Sequence, residues 1–595
     1  MAAGLKVEQV QFKGNHSIKS SQLREILKTQ KGKPFDNKLL RLDRILLRNF
    51  YITRGFLDVW VETEIDRKGN KITITYEIAE GKQYFLGEIK LIGCQLISPD
   101  ILRKSFPIEN GEIFQRQKIE EGLNKIERFY FDNGKPFVQI REEQSTRDSL
   151  IIITVHIQEG ETVYINEIQY QGLKLGKAFI IRRELGIREG DRYSRKKIEE
   201  SQRNIYSTGL FDYVGMDIQP LDSARRKVRL VIKVVEKKPR WVGARFGVAY
   251  EQETVYGGTF DFTLEFGHRN LFGTARSLSF RVIPSISYDF TEKEIINPKN
   301  QYSLTYVEPW IGYTRTPGVF NASFYQVRPV NSADYNYLTT SFQVRHEFDN
   351  YWKISGTVAF DRVSILEADT LSREFFTLTK GQDFIYSIGS TLIRDKRDNY
   401  LNPQEGSVLQ TSLKFAYSRS RDDQTGTISL NRFIKWGIQW NRYQKFPLIR
   451  NWIFATRIRS GNIFELGERT VIPLVERYFL GGASTVRGYP EQLLGPIVYT
   501  SQQKPQAIGG KLLVLGNLEL RFPIFWLFWG EIFTDFGNVW LQHEYFKIAD
   551  IKSSSGAGVA IVTPIGPVRF DYGIKHRPEA DEDPGEFHIS ISFAF

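Results

Sequence analysis

The chain has 595 residues, with 81 Lys+Arg against 69 Asp+Glu (a formal charge of +12), 14% aromatic residues (43 Phe, 28 Tyr, 10 Trp), 48 Gly, one Cys and two Met. Its mean hydropathy is −0.34, and its longest aromatic-apolar run, Phe522–Trp529, is interrupted by Pro523, far short of the roughly 20 apolar residues of a spanning helix. A helical transporter is thereby excluded, a single cysteine excludes a disulfide framework or a multi-cysteine metal site, and the aromatic content excludes a disordered chain.

What remains is a large folded protein rich in glycine and aromatics, either soluble all-β or a membrane β-barrel. Met1 is followed by AAGLKVEQV, without the basic stretch and apolar segment of a secretory signal. The positive charge forms no basic stripe with regularly spaced aromatics, so no nucleic-acid partner is expected.

The first part of the chain is a threefold repeat. VQFKG ends at Gly14, IKLIG at Gly93 and IQYQG at Gly172, 79 residues apart each time. KGKPF, NGEIF and EGDRY, with Gly32, Gly111 and Gly190, keep the same offset. An aromatic-Gly stretch recurs as Tyr51–Gly55–Phe56, Tyr130–Gly134–Phe137 and Tyr206–Gly209–Phe211, and each unit closes on an alternating run such as KITITYEIAEG. A repeat of this kind is one supersecondary unit used three times.

Each unit reads β-α-α-β-β. In the first, a strand ending at Gly14 precedes a helix over Ser20–Lys28 and a second over Asn37–Tyr51, whose Leu39, Leu42, Leu46 and Phe50 recur at helical spacing and predict its buried face. Two strands follow, around Phe56–Ile65 and over Lys71–Ala79. Alternation of Ile72, Ile74, Tyr76 and Ile78 gives the last strand one buried face. The boundaries expected are 1–81, 82–160 and 161–239.

Beyond Lys238–Pro239 helical periodicity largely disappears. Thr259, Asp261, Thr263 and Glu265 alternate with Phe260, Phe262, Leu264 and Phe266, and the chain ends on Phe587, Ile589, Ile591, Phe593 and Phe595 with His588, Ser590, Ser592 and Ala594 between. Alternation alone fits a sandwich with a dry core and equally a barrel with apolar residues facing lipid. Trp241, Trp310, Trp352, Trp452, Trp526, Trp529 and Trp540 lie near expected strand ends, which suits interfacial girdles. Residues 240–595 allow about 22 residues per strand and connection for sixteen strands.

The segment Gly481–Tyr489, GGASTVRGY, resembles the VRGY/VRGF signature of the sixth extracellular loop in the outer-membrane protein assembly superfamily of BamA and TamA type. GNLELRFPI (Gly516–Ile524), IFTDFGNVW (Ile532–Trp540), SSGAGVAIVTPIGPVRFDYG (Ser554–Gly573) and FHISISFAF (Phe587–Phe595) resemble its last strands in order, and the three N-terminal units resemble its POTRA domains. The resemblance covers essentially the whole chain. It implies three α+β units followed by an all-β transmembrane barrel over residues 240–595, of sixteen antiparallel strands, in the bacterial outer membrane with the POTRA units in the periplasm. That destination conflicts with the missing signal, which is read as a trimmed or misplaced start.

The resemblance also implies a loop lock. Val486, Arg487, Gly488 and Tyr489 form its tip, and Arg487 pairs with the acidic residues matching Glu519 and Asp535 on the inner wall. The chemistry is sound in itself, because a guanidinium in a confined lumen needs planar carboxylate partners and glycines let the loop fold inward. Arg569 and Asp571 share one strand phase, as a lumen charge pair or as plain polar lining. A barrel seam is implied where the first strand, carrying Gly243 and Gly247, meets the last, ending at Phe595. Those glycines weaken strand pairing or make room for lumen packing. The alternating aromatics ending in Phe595 also resemble the signal that outer-membrane proteins present to their assembly machinery.

No G-x-S-x-G, H-E-x-x-H, C-x-x-C or G-x-x-x-x-G-K-[ST] is present, and His268, His346 and His588 are not ligand-spaced, so neither an enzyme nor a metal or other cofactor is expected. Cys94, just after Gly93, reads as a small buried residue. The function implied is insertion of unfolded β-barrel clients received on exposed POTRA strand edges. Outer-membrane lipids, and periplasmic or inner-membrane accessory proteins, are the other partners expected. A two-partner-type secretion pore exporting a dedicated soluble protein and a TamA-like envelope or lipid-homeostasis factor are the alternatives.

Overall fold

The computed structural model describes residues 5–249, 259–289, 294–297, 299–328, 334–349, 351–366, 381–400, 402–422, 426–446, 451–467, 472–499, 505–563, 566–579 and 582–591. The chain divides into two units, Met1–Lys237 and Lys238–Phe595. No helix among the described residues is long and apolar enough to cross a membrane.

The N-terminal unit holds three copies of one motif. The first comprises β1 (Lys6–Lys13), α1 (Ser20–Ile26), α2 (Asn37–Ile52), β2 (Trp60–Lys68) and β3 (Lys71–Ala79). The second comprises β4 (Phe85–Ile92), α3 (Pro99–Arg103), α4 (Arg116–Asp132), β5 (Gln139–Arg147) and β6 (Leu150–Gln158). The third comprises β7 (Tyr164–Gln171), α5 (Ala178–Glu184), α6 (Arg195–Ser207), β8 (Phe211–Pro220) and β9 (Lys227–Glu236). In each sheet the last strand is central, parallel to the first and antiparallel to the second. The order β-α-α-β-β is therefore as the repeats predict.

Local chemistry explains the repeat landmarks. Gly14, Gly93 and Gly172 all have φ between +79° and +92°, and a Cβ there would lie 2.0–2.1 Å from the carbonyl oxygens of Ile78, Ile157 and Val234. Only glycine lets the chain leave the first strand over the end of the last. The amides beyond each glycine are satisfied by a glutamate at or just past the end of the last strand. Ser17 N–H donates to both Glu80 oxygens at 3.0 Å, Gln95 and Leu96 donate to Glu159 at 2.6 and 2.8 Å, and Lys174, Leu175 and Gly176 donate to Glu236 at 3.1, 2.9 and 2.8 Å.

Tyr51 and Tyr130, fully buried, donate their hydroxyls to Glu80 and Glu159 at 2.9 Å. The third unit has no such tyrosine. Tyr206, which the repeat alignment sets beside them, is exposed, and Gly209 stands 79 residues after Tyr130. Burial works against the Glu80 and Glu159 charges, but the hydrogen bonds from Ser17 and Tyr51, and from Leu96, Gln95 and Tyr130, hold both carboxyls below the usual glutamate range. A depressed carboxyl pKa stabilises the fold above the unfolded value near 4.3, and that stability is lost as pH falls through the folded value. The protection of the Ser17, Gln95 and Leu96 amides against exchange, relative to the free-chain rate at the same pH, should therefore fall below about pH 4. Glu80→Ala should free Ser17 at neutral pH, at a cost of about 1–3 kcal/mol to the first unit.

The buried face of α2 is one residue off the expected one. Leu40, Asp43, Leu47 and Tyr51 are buried, whereas Leu42 is exposed and Leu39, Leu46 and Phe50 are half-buried. The displacement comes from Asp43, a charged residue in the core stripe. Its carboxylate accepts from Lys28 N–H at 2.6 Å, Thr29 N–H at 2.9 Å and the Tyr76 hydroxyl at 3.2 Å, which ties the end of α1 to α2. Ile72, Ile74, Tyr76 and Ile78 are buried as expected. The second strand starts later than predicted, at Trp60, and Cys94 is half-buried against the core of the second unit.

The C-terminal unit is one antiparallel sheet built from β10 (Arg240–Ala249), β11 (Thr259–Leu271), β12 (Arg276–Asp289), β13 (Glu294–Ile296), β14 (Lys299–Glu308), β15 (Gly318–Val327), β16 (Tyr335–Glu347), β17 (Trp352–Ile365), β18 (Gly381–Asp395), β19 (Gly406–Asp422), β20 (Ile428–Lys445) and β21 (Ile453–Glu465). After the short hairpin β22 (Ile497–Tyr499) and β23 (Pro505–Ala507) it continues through β24 (Leu512–Phe525), β25 (Phe528–Trp540), β26 (Lys552–Thr563), β27 (Gly566–Lys575) and β28 (Gly585–Ile591). Setting aside the three-residue β13, sixteen long strands pair in sequence order.

The ambiguity of the alternation is resolved by exposure. Phe260, Phe262 and Phe266 are 43–50% exposed while Glu265 between them is 5% exposed. The same inversion holds at Phe342, Leu413, Phe415 and Ile532 outside, and at Ser418, Asn431 and Asp535 inside. A sheet with apolar residues out and polar residues in is a membrane barrel, not a sandwich. Antiparallel pairing puts Trp241, Trp310, Trp352, Trp452, Trp526 and Trp529 all at the end that carries the turns 272–275 and 526–527. They make one girdle. Trp540 does not belong to one: it lies at the opposite end, buried, 4.9 Å edge-on to Phe546.

Candidate functional site

The connection between β21 and β24 turns back into the barrel. Ile472, Leu474, Leu480, Val486, Tyr489, Leu494 and Ile508 pack against Phe433, Leu513, Leu515 and Val539 of the inner wall in one buried cluster. The lumen is thus not simply a wet channel; part of the loop's attachment is ordinary apolar burial. Gly481, Gly482 and Gly488 have φ of +108°, +101° and +90°. Gly482 N–H donates to Tyr489 carbonyl at 3.0 Å, and Gly481 N–H to Thr485 Oγ1 at 2.9 Å, closing the tip on itself.

Arg487 sits at that tip with no solvent exposure. Its Nε and Nη2 donate side-on to Asp535 Oδ2 and Oδ1 at 2.7 and 2.9 Å, and its backbone N–H donates to the same carboxylate at 3.1 Å. Nη1 donates to Glu531 at 3.0 Å, and Nη2 lies 2.8 Å from Glu519. Its guanidinium carbon stands 3.5 Å from the centre of the Phe533 ring, a cation–π contact. Glu531, Phe533 and Asp535 share one phase of β25, and Glu519 faces them from β24, so strand periodicity aims the whole set at one point.

The neighbours complete a neutral array. Arg521 pairs with Glu519 at 2.6 Å; Arg569 pairs with Glu531 and Asp571 at 3.0 Å each, and donates to Ser590 Oγ at 2.7 Å and Ala483 carbonyl at 3.2 Å. Asn517 donates to Asp535 at 2.7 Å and to Thr485 carbonyl at 2.6 Å, while Arg457 donates to Asn517 at 2.8 Å and to Ser484 carbonyl at 2.7 Å. Arg457, Arg487, Arg521 and Arg569 thus balance Glu519, Glu531, Asp535 and Asp571, every one at most 6% exposed. Desolvating each ion costs several kcal/mol, so such an array persists only when every charge is matched.

The loop backbone touches the far wall directly. Gly488 N–H donates to His588 Nε2 at 3.0 Å, and Ser554 donates its hydroxyl to the Arg487 carbonyl. A Cβ at Gly573 would lie 2.5 Å from Gly488 N, and one at Gly488 would lie 3.0 Å from the Gly573 carbonyl carbon. Loop and β27 meet backbone to backbone. The tip therefore contacts β24 through β28.

A second anchor holds the loop's start. Lys414 of β19 and Lys435 of β20 are direct cross-strand partners, a repulsive pairing when left alone. Glu476 bridges them: Lys414 donates to Oε1, and Lys435 donates to the Glu476 carbonyl at 2.7 Å and lies 3.4 Å from Oε2. The Tyr478 hydroxyl donates to Trp436 carbonyl at 3.0 Å, and Arg477 donates to the carbonyls of Ile472 and Ile508 at 3.0 Å each.

Of the residues expected from sequence, Val486, Arg487, Gly488, Tyr489, Glu519 and Asp535 come together here. Glu531, Arg521, Asn517, Arg457 and the Glu476 bridge are additions. Glu531 and Arg521 were legible in principle, being two or four residues along the phase of Asp535 and Glu519. Glu476 was not, since nothing local sets it beside two lysines more than 40 residues earlier. Gly243 and Gly247 lie in β10 opposite Glu265 and Asp261 of β11. Among the described residues β10 pairs only with β11, and β28 only with β27. Phe595 lies outside the described residues.

Comparison with known proteins follows the same division. Residues 270–595 match the Omp85 superfamily domain, and residues 5–81, 84–160 and 163–237 match the POTRA family, described as a surface antigen variable number repeat. Among curated proteins, the outer membrane protein assembly factor BamA of Nitratidesulfovibrio vulgaris is 22% identical over 99% of this chain and 73% of its own length. BamA of Neisseria meningitidis serogroup B is 22% identical over 99% of this chain and 78% of its own. The crystal structure of BamA from Haemophilus ducreyi lacking POTRA domains 1–3 superposes with a TM-score of 0.68 at 17% identity, covering 85% of this chain and 99% of that one.

Proposed function

The chain belongs to the Omp85 superfamily, and from that premise we propose that it is an outer-membrane assembly factor that inserts unfolded β-barrel proteins from the periplasmic side. Two similar proteins, matched over about three quarters of their own length, are outer membrane protein assembly factors. The observation that carries the reading is the loop bearing Arg487, seated by a closed charge array on the inner wall of a sixteen-stranded barrel that follows three POTRA units. The barrel lies in the outer membrane and the POTRA units in the periplasm.

Work is divided between the two units. Each POTRA sheet leaves the second strand at an edge: β2, β5 and β8 pair on one side only. A client segment adds there by main-chain hydrogen bonds, with little demand on sequence. In the barrel, the Arg487 array holds β24 to β28 in register with the loop, so that the sheet stays stable while client strands enter between β10 and β28. No bond of the client is made or broken, so no catalytic group or cofactor is called for, and lipids enter as the solvent of the barrel's apolar face.

Depletion of the protein followed by outer-membrane proteomics tests this. Many unrelated barrels should decline together. Loss of one secreted substrate, with barrels unchanged, would replace the reading by a dedicated secretion pore.

A further inference from the structure

The outer face of α2 departs from its counterparts in the other two repeats. At the 79-residue offset its Lys38, Arg41, Leu42, Ile45 and Arg48 correspond to Gln117, Glu120, Glu121, Asn124 and Glu127 of α4, and to Lys196, Glu199, Glu200, Arg203 and Tyr206 of α6. Positions 38, 41, 42, 45 and 48 form one continuous stripe on a helix. In α2 it is cationic and apolar: Leu42 is 40% and Ile45 57% exposed, and the cations around them are all exposed.

Three acidic residues on the corresponding stripes, Glu120, Glu121 and Glu199, are engaged within their own helix. Arg116 pairs with Glu120 at 3.1 Å, Lys125 with Glu121 at 2.7 Å, and Arg195 with Glu199 at 2.8 Å. On α2 no acid is available outside, because Asp43, its only one, is buried and saturated by Lys28, Thr29 and Tyr76.

We propose that this face of α2 is a docking surface for an acidic amphipathic segment of a second protein, with Leu42 and Ile45 as apolar anchors and Lys38, Arg41, Arg44 and Arg48 as the charged rim. Charge complementarity selects the occupant: two apolar anchors ringed by one sign of charge fit a partner bearing apolar residues among carboxylates. A membrane surface needs a wide apolar face, and the main apolar face of α2 (Leu40, Leu47, Tyr51) is already spent on the core. A second copy of this chain is disfavoured because Glu120, Glu121 and Glu199 of its acidic helices already pair with cations of their own helix.

A photo-crosslinking residue at position 45 of the full chain, in cells of the source bacterium, tests the proposal, with positions 124 and 203 as controls on the corresponding helices. Expected is one dominant protein adduct at 45 and none like it at the controls, linked through a peptide with Asp or Glu beside apolar residues. Arg41→Glu/Arg48→Glu, which installs the residues α4 carries at these places and so suits the scaffold, should abolish the adduct while leaving limited proteolysis of residues 1–237 unchanged. Arg41→Lys/Arg48→Lys should keep it. An adduct at 45 no stronger than at 124 and 203, an adduct to lipid or to a second copy, a linked peptide without acids, or indifference to the charge reversal would each overturn it.

Discussion

Arg487→Ala lowers the temperature at which the folded barrel converts to the unfolded form on gel electrophoresis, and it impairs assembly of clients. The cost expected is about 3–5 kcal/mol, the range for removing one partner from a buried ion pair. The reason is the company Arg487 keeps. Without it, Asp535, Glu519 and Glu531 face one another with one cation fewer, Arg457, Arg521 and Arg569 remaining, and Phe533 loses the cation on its face. Arg487→Lys should recover part of the loss, since an ammonium supplies charge but not the side-on pair of bonds to Asp535. If Arg487→Ala melts like the wild type, the array does not hold the loop.

Glu476→Gln should be the next most damaging change. It leaves Lys414 and Lys435 opposite each other on adjacent strands with no anion between them, at a cost of about 3 kcal/mol. The combination Glu476→Met/Lys414→Met/Lys435→Met should restore most of it, because exchanging a whole ion cluster for apolar groups of similar volume is often neutral. Barrel melting by the same gel shift separates the cases. If the triple variant is as unstable as the single one, Glu476 holds the loop by some contact other than the lysines.

The sequence disclosed what is periodic and local. The offset of 79 marked the units, the alternation of Ile72, Ile74, Tyr76 and Ile78 marked a buried strand, and GGASTVRGY with Glu519 and Asp535 marked residues that the fold assembles. It failed where one residue contradicts its stripe. Asp43 in the core of α2 shifted the apparent apolar face by one position, and Tyr206 was aligned with Tyr51 although Tyr206 is exposed. Alternation in the barrel was readable, but its inside and outside were not, because lipid and a dry core reward the same pattern. The Glu476 bridge depends on strand register across β19 and β20, which no local pattern encodes.

Reconstitution of the full chain in liposomes is the most direct test of the central claim, that a barrel held by the Arg487 array inserts unfolded barrels into a bilayer. Denatured clients of several unrelated barrel families are added from the side that exposes the POTRA units, and their protease-protected fraction is followed. Wild-type protein should accelerate insertion of all of them and Arg487→Ala of none. Insertion no faster than into empty liposomes, or equal rates with the wild type and the variant, would contradict the account.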